Sequence, residues 1–467
     1  MSLRLQSYPK YKSSGIPWLG EIPVHWSVLR LKHVSERIVG GSTPASGEER
    51  YWDGDVVWVT PADVSKSLGI TGSERRITDA GLASCSSVIV PPGSIVVTSR
   101  APVGGIALAK VSLCTNQGCK AIVPNPLRLS SEFVFHVLGV MKRELQSLSR
   151  GTTFQEITTT QLANVEVPIP QLETQQSIVA FLTHADRRIN RLIRLKRRLI
   201  DLLNEEKQAI IQRAVTHGLV SDVQFKPSGV EWLGDVPEHW EVSRCGQLFR
   251  EVIETGHPDL ELLSIDRFRG VVRQADIGRK ERAPDERSAY KLVQCGELAY
   301  NLMNAFMGSI GVSPLDGILS PAYAVARPTR AVYPTYFHYL LRTPMYLTQF
   351  NRYSYGIMYE RNRLYFDRFK TIPTLLPPFE EQSRIVQHIS REASQLDLAL
   401  AKAQHGIDLL REYRTRLIAD VVTGKLDVRG VELPLLEDAE VPEDLDLGDE
   451  VEPDELAEDE EIEDAGE

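Results

Sequence analysis

No stretch of the 467-residue chain approaches the roughly eighteen consecutive apolar residues that a membrane-crossing helix needs. The opening segment, Met1 to Lys12, also lacks an apolar signal core, so the expectation is a cytoplasmic protein with no membrane partner. Cysteine is scarce. The five cysteines (Cys85, Cys114, Cys119, Cys245, Cys295) are odd in number and form no Cys-x-x-Cys pair, which excludes a disulfide framework and a zinc knuckle and leaves buried thiols. Ten scattered histidines show no ligand spacing, so no metal site is expected. Basic residues are missing altogether from Glu437 to Glu467, where 18 residues are acidic. Taking those charges out of the net −10 leaves +8 on residues 1–436, a basic body that suits a nucleic-acid partner. The tail cannot bury enough apolar surface to fold; it is expected to be disordered and to serve solubility.

What the chain does have, it has twice. From Gln175 to Arg213 apolar residues recur every third and fourth place, and shifting by 207 residues finds the pattern again. The first seam contains Ile178, Leu182, Ile189, Leu192, Leu199 and Leu203. The second contains Ile385, Ile389, Leu396, Ala399, Ala403, Leu410 and Leu417. Heptads sustained this long predict a helix that packs on a partner helix, and the second copy is the obvious partner. At 1.5 Å per residue each helix would be roughly 60 Å long, more than one domain needs to cover its own core.

A second repeat precedes each helix. Lys12 to Arg30 aligns with Lys226 to Arg244 at 11 of 19 positions. Trp18, Pro23 and Trp26, answered by Trp232, Pro237 and Trp240, read as an apolar clip that anchors each module. Between clip and helix the sequence is strand-like, with short β-branched runs broken by Gly and Pro, as at Asp55 to Thr60, Ser87 to Val90 and Gly93 to Ser99. Helical stretches follow at Ser131 to Leu148 and Tyr333 to Phe350, and prolines mark each exit. Glu173 and Glu380 suit a first helical turn, and Gly218 and Gly424 suit left-handed caps. The frame is duplicated but the loops differ: Gly151 to Gln155 is answered by Gly356 to Glu360. Two modules doing one job on different targets are implied.

The doubled passage Pro-Gln-Leu-Glu-Thr-Gln-Gln-Ser-Ile (170–178) and Pro-Phe-Glu-Glu-Gln-Ser-Arg-Ile (378–385), each opening a long helix after a strand-rich module, resembles the specificity subunit of type I restriction-modification systems. The Trp-Leu-Gly-x-x-Pro-x-His-Trp openings, Pro92-Gly93-Ser94 into Arg100-x-x-Val103-Gly104, and Thr115-Asn116-Gln117 support the likeness. It extends to about Val428 and leaves out the acidic tail. The resemblance implies an α+β chain with two strand-rich target-recognition domains in tandem, separated by two long helices that form an antiparallel coiled coil. The expected boundaries are 1–170 for the first recognition domain, 171–219 for the first helix, 220–378 for the second domain, 379–428 for the second helix and 429–467 for the tail. It further implies that each domain reads half of a bipartite site in double-stranded DNA. The chain itself would be non-catalytic and bind no cofactor. Two modification subunits would methylate adenine with S-adenosylmethionine, and ATP-driven restriction subunits would complete the complex.

Arginine pairs with guanine, Asn and Gln with adenine, and Ser and Thr suit phosphates. By that chemistry the candidates in the first module are Ser42, Thr43, Tyr51, Arg100, Asn116, Gln117, Arg150, Thr152, Thr153 and Gln155. Each alone reads as an ordinary surface or turn residue; the polar run 150–155 is the strongest group. In the second module Arg352, Tyr353, Tyr355, Arg361, Arg363, Arg368 and Lys370 interleave cations with aromatics, a composition suited to clamping a nucleic-acid backbone. The bland alternative is an amphipathic element with buried tyrosines and solvated cations.

Two rival readings have weaker support. A self-contained adenine methyltransferase needs an Asn/Asp-Pro-Pro-aromatic motif, and Asn125-Pro126-Leu127 is not one. Glu205-x-Lys207 resembles a fragment of a nuclease motif but sits within the long helix without an upstream acid. A purely structural coiled-coil scaffold would not need two elaborate strand-rich modules.

Overall fold

The computed structural model describes residues 5–149, 156–220, 222–278, 287–356 and 362–433. The acidic tail, expected over 429–467, lies outside the described residues beyond residue 433. The architecture is α+β, and the contacts divide it into two compact units that do not follow chain order. One unit comprises Met1–Arg194 with Asp408–Glu467, the other Leu195–Ile407. Chain order fails because two long helices, Leu172–His217 and Phe379–Val422, each contribute one part to each unit.

Within each unit the two helices run antiparallel. In the first, Asp186 forms an ion pair with Arg414, and Leu182 and Ile189 line a small cavity with Leu417 and Ile418. In the second, Lys207 Nζ donates to Asp397 at 2.6 Å, while Lys196 lies where a side chain on Gly406 would stand. Residue numbers rise on one helix as they fall on the other. Glycine at 406 therefore makes room for the lysine stem, which outweighs its poor helix propensity.

The buried stripe departs from a strict heptad. Ile178, Leu182, Ile189, Ile385, Ile389, Ala403 and Leu417 are buried, and Leu203, Leu396, Ala399 and Leu410 are half-buried. Leu192 and Leu199, expected in the seam, are each 46% exposed. A straight helix turns every 3.6 residues, so a 3.5-residue pattern drifts by roughly 20° per heptad. After Ile189 the inward line passes instead to Ile193, Ile211 and Ala214. On the second helix Ile407, outside the expected seam, is buried next to Gly406, and Tyr413 faces solvent.

The ends of the helices belong to the module cores. Ile178, Phe181 and Leu182 join Leu417, Val421 and Val422 in one core; Ile211, Ala214 and Val215 join Ile385, Val386 and Ile389 in the other. Each core is closed by the same devices. Hairpins Tyr11–Ser13/Glu21–Pro23 and Phe225–Pro227/Asp235–Pro237 lead to Trp26 and Trp240, which are 0% and 1% exposed. The helix-ending glycines Gly218 and Gly424 hold φ of +76° and +79°; a Cβ at the first would meet Glu381 and then Trp240, and at the second would strike Pro23 and crowd Trp26. At the helix starts, buried Gln175 accepts from Ser130 N at 2.8 Å and donates to Pro170 O at 3.0 Å. Gln382 does the same with Tyr333 N at 2.8 Å and Pro377 O at 2.7 Å. An amide side chain carries both donor and acceptor, so one residue ties strand exit, helix start and module together.

Four strands recur in the same order. In the first unit the sheet runs Ser35–Gly40, Cys119–Pro124, Ile95–Thr98, Ile106–Ala109, with Gly69–Ile70 added at the edge. In the second it runs Phe249–Glu251, Tyr323–Pro328, Leu298–Asn301, Ile310–Val312. Each expected single helix is in fact two: Ser131–Val140 and Lys142–Leu148, then Pro334–Leu340 and Pro344–Tyr353. Pro344 forces the second break, because proline has no N–H to continue the ladder. The expected strand at Ser87 to Val90 reduces to one bridge between Val90 and Leu113. Cys114, Cys119 and Cys245 are buried as expected, but Cys85 is only half-buried and Cys295 is exposed in a turn whose amide donates to Asp316.

Candidate nucleic-acid interface

Three loops of the first unit meet at one end of its sheet. They follow Ser35–Gly40, follow Ile95–Thr98 and precede Cys119–Pro124. Their contact depends on Gly41, since a Cβ there would fall on the carbonyl oxygens of Thr115 and Asn116. Ser42 N donates to Thr115 O at 3.2 Å and to Ser87 Oγ at 2.8 Å, so Ser42 is tied into the frame by its backbone. The Thr43 hydroxyl donates to the Gln117 side-chain oxygen across the gap between loops. Asn116 turns inward and accepts from Gly118 N at 2.9 Å, which fixes the turn and leaves Gln117 exposed.

Arg100 stands beside them on Glu156, at 3.0 Å, and Lys120 reaches the same carboxylate at 3.2 Å. Burial alone would raise the Glu156 pKa, but hydrogen bonds from Lys120 and Arg100 more than offset it and hold the carboxyl below its usual range. Glu156 immediately follows the polar run, so this double ion pair pins the point where the run rejoins the sheet. Arg150, Thr152, Thr153 and Gln155 themselves lie outside the described residues. Ser42, Thr43, Arg100, Asn116 and Gln117 thus come together. Tyr51 stands apart on a short turn, where its hydroxyl accepts from Arg50 at 3.2 Å and its carbonyl accepts from Thr78 N.

In the second unit Tyr355 and Arg363 exchange both backbone hydrogen bonds at 3.1 Å, closing a small loop whose tip, including Arg361, lies outside the described residues. Arg368 places its guanidinium 5.3 Å from the centre of the Tyr355 ring, which tilts against Tyr365 at 5.3 Å. Arg352, Arg363 and Lys370 are exposed, whereas Tyr353 is half-buried against the core. The cations are therefore solvent-facing. Among the tyrosines, Tyr353 packs and Tyr355, at 46% exposed, does not. Leu364 N donates to Leu302 O at 2.8 Å, which brings this loop against the one following Leu298–Asn301. That loop is the counterpart of the one carrying Arg100.

Several groups at these ends escaped the sequence reading. Lys120 sits inside an apolar strand, 7% exposed, and a lysine flanked by Cys119 and Ala121 was the available signal. Trp52 and Trp58 stack edge to face at 5.2 Å, and their indole N–H groups donate to Ala45 O and Ser42 O at 3.3 and 3.0 Å. Arg75 lies 4.0 Å from the centre of the Trp52 ring. Only the folded chain brings these three to the Ser42 loop. Among the described residues no group of His, Cys, Asp and Glu is arranged to hold a metal ion, and no helix is long and apolar enough to cross a membrane.

Residues 23–201 match the type I restriction modification DNA specificity domain. The chain is 33% identical over 258 residues to the type I restriction enzyme MjaIX specificity subunit of Methanocaldococcus jannaschii, covering 52% of this chain and 56% of that one. It spans about half the length of this and two further relatives, at 46% and 51%. A longer, weaker match, 21% over 441 residues, joins it to the EcoKI specificity subunit of Escherichia coli K12 and covers 87% and 90% of the two chains. Among solved structures, a chain from work on complex assembly and conformational transition of the type I R-M system superposes with a TM-score of 0.62 at 19% identity, covering 87% and 99%. The HsdS subunit from Thermoanaerobacter tengcongensis gives 0.50 at 21% identity, covering 87% and 98%. At these identities the likeness is one of fold.

Proposed function

We propose, from the premise that this chain belongs to the type I restriction-modification specificity subunits, that it is the DNA-reading part of such a complex. Each unit reads one half of a bipartite duplex site. The observation that carries this is the pairing of one four-strand frame with two different polar loop clusters at corresponding ends. Equal frames give equal modes of docking; unequal loops give unequal targets.

In the first half, Thr43, Gln117 and Arg100 offer hydroxyl, amide and guanidinium groups for base edges and phosphates. In the second, Arg352, Arg363, Arg368 and Lys370 supply backbone contacts. The chain contributes no catalysis and binds no cofactor. Chemistry falls to two modification subunits, which use S-adenosylmethionine to methylate adenine, and to restriction subunits driven by ATP. Leu195, Leu199 and Leu202, between 45% and 54% exposed on one face of the first long helix, are suited to receive an apolar partner surface.

The test is exchange of residues 31–167 for the equivalent piece of a relative, followed by mapping of methylated adenines in cells that carry the hybrid and its modification subunits. One half of the methylated site changes and the other stays. A hybrid that altered both halves, or neither, would defeat the proposal.

A further inference from the structure

We propose that the hairpin tip Arg267–Phe268–Arg269 of the second unit is a stacking wedge that enters duplex DNA and separates one base step within the half-site this unit reads. The proposal rests on the DNA-reading function above and adds an action to it: distortion of the duplex by the specificity chain itself.

The tip joins strands Leu263–Asp266 and Gly270–Arg273. Phe268 is 77% exposed there, the most exposed aromatic side chain among the described residues. An apolar ring held in water is costly, and a flexible loop would fold it away. This loop is prevented from doing so. Asp266 Oδ1 accepts from Phe268 N at 2.9 Å and from Arg269 N at 2.7 Å, which sets the turn and aims the ring outward.

The foot of the hairpin is stapled as well. Arg342 donates to Arg267 O at 2.7 Å through one terminal nitrogen, and through the other to Gly308 O at 2.9 Å and Ile310 O at 2.7 Å. A guanidinium bound to three carbonyls joins the hairpin rigidly to the loop after Leu298–Asn301. Gly270 packs so closely on His338 that a Cβ would strike the imidazole, so the strand cannot slide. The tip thereby shares an end of the unit with the loop that contacts Leu364 and leads to Tyr355 and Arg368. Met307, 52% exposed, lies on that loop.

The neighbours of the ring decide its partner. Arg267 lies 4.9 Å from the Phe268 ring centre, and Arg269 is 3.7 Å from Asp266, both exposed. A protein pocket for phenylalanine would have to desolvate two arginines. Duplex DNA supplies phosphates for the cations on either side and base faces for the ring, the arrangement by which apolar wedges unstack a step. A wedge is cheapest at flexible pyrimidine–purine steps, so the second half of the target should contain TA or CA/TG at the inserted position.

The experiment uses the full chain and a duplex carrying the target found by methylation mapping, with 2-aminopurine placed in turn at each position of both halves. Binding of the wild-type chain raises the probe's emission several-fold at one or two adjacent positions of the second half. Phe268→Ala abolishes that rise and Phe268→Leu, still an apolar wedge, keeps part of it; the first half stays silent throughout. Arg267→Ala with Arg269→Ala lowers the slope of log affinity against log salt by up to about 2. An unchanged rise in Phe268→Ala, or no responsive position in a bound wild-type complex, overturns the wedge and leaves DNA reading intact. Loss of modification-subunit capture in Phe268→Ala with the optical response retained also overturns it, reassigning the tip to a protein contact. Failure of the wild-type chain and its partners to bind the mapped duplex would instead defeat DNA reading itself, and the wedge with it.

Discussion

The two units present the same four-strand frame to opposite chemical styles of loop. In the first, polar groups hold each other: Thr43 to Gln117, and Arg100 and Lys120 to Glu156. In the second, cations lie on rings, Arg368 on Tyr355 and Arg267 on Phe268, and the half-buried Arg342 braces the turn. The frame is kept because it is packed from both sides and every change there is felt; the loops are free because only a few backbone anchors fix them. The loops of one unit can therefore diverge without disturbing its frame.

The largest asymmetry should come from Gly41→Ala. No small adjustment relieves a Cβ set against two backbone carbonyls, so the loops carrying Ser42 and Gln117 must separate. A loss of about 3 kcal/mol in the first unit is expected, as for other overpacked sites. Specificity for the first half falls with it, while the second half is read as before. Thermal unfolding and methylation mapping on the same variant check both parts, and equal damage to both halves would mean that the units are not independent.

Acid should separate the units next. Burial, helped by the nearby Arg342 charge, lowers the His338 pKa from 6.5 to about 4. The unfolded chain therefore takes up the proton first. Stability from this site is complete above pH 6.5 and is lost as pH falls toward 4, by roughly 3 kcal/mol. Glu156 is a carboxylate held below its usual range, so its contribution is intact down to the ordinary carboxylate value and is lost as the pH falls from there through the lowered one. Hydrogen-exchange protection of peptides from the two units, followed from pH 7 to 4, should fall first around the hairpin Leu263–Asp266/Gly270–Arg273, which packs on His338. His338→Gln should flatten that fall, and Glu156→Gln should leave it alone.

The smallest effects should be alike in both units. Gln175→Ala and Gln382→Ala each strand buried backbone groups at a helix start, at a cost of about 1–3 kcal/mol. Matched losses in a denaturant series would sharpen the view that the frame is one device used twice. A cost at only one of the two sites would break it.

Much of this was legible in the chain. The 207- and 214-residue offsets located the helices, clips and strand-rich modules, because repeats preserve spacing and the apolar period reports helix or strand directly. Ser42, Thr43, Asn116 and Gln117 were chosen by residue type, and the fold brings them together. Leu192 and Leu199 were misplaced because a heptad counted along the sequence ignores the drift of a straight helix. Lys120, Glu156 and Arg342 were missed because an ionisable residue acquires its role from what lies opposite it, and those partners are 36 residues away for Lys120 and Glu156 and 75 for Arg342 and Arg267.

Duplication and periodicity, both local properties, determined from the sequence alone that there are two modules and two long helices. Which halves of those helices join which module, which side chains face inward, and which loops share an end of a sheet were decided only by folding. These depend on contacts between residues far apart in the chain, and no spacing rule encodes how an arginine, a glycine and a carbonyl will be brought within 3 Å.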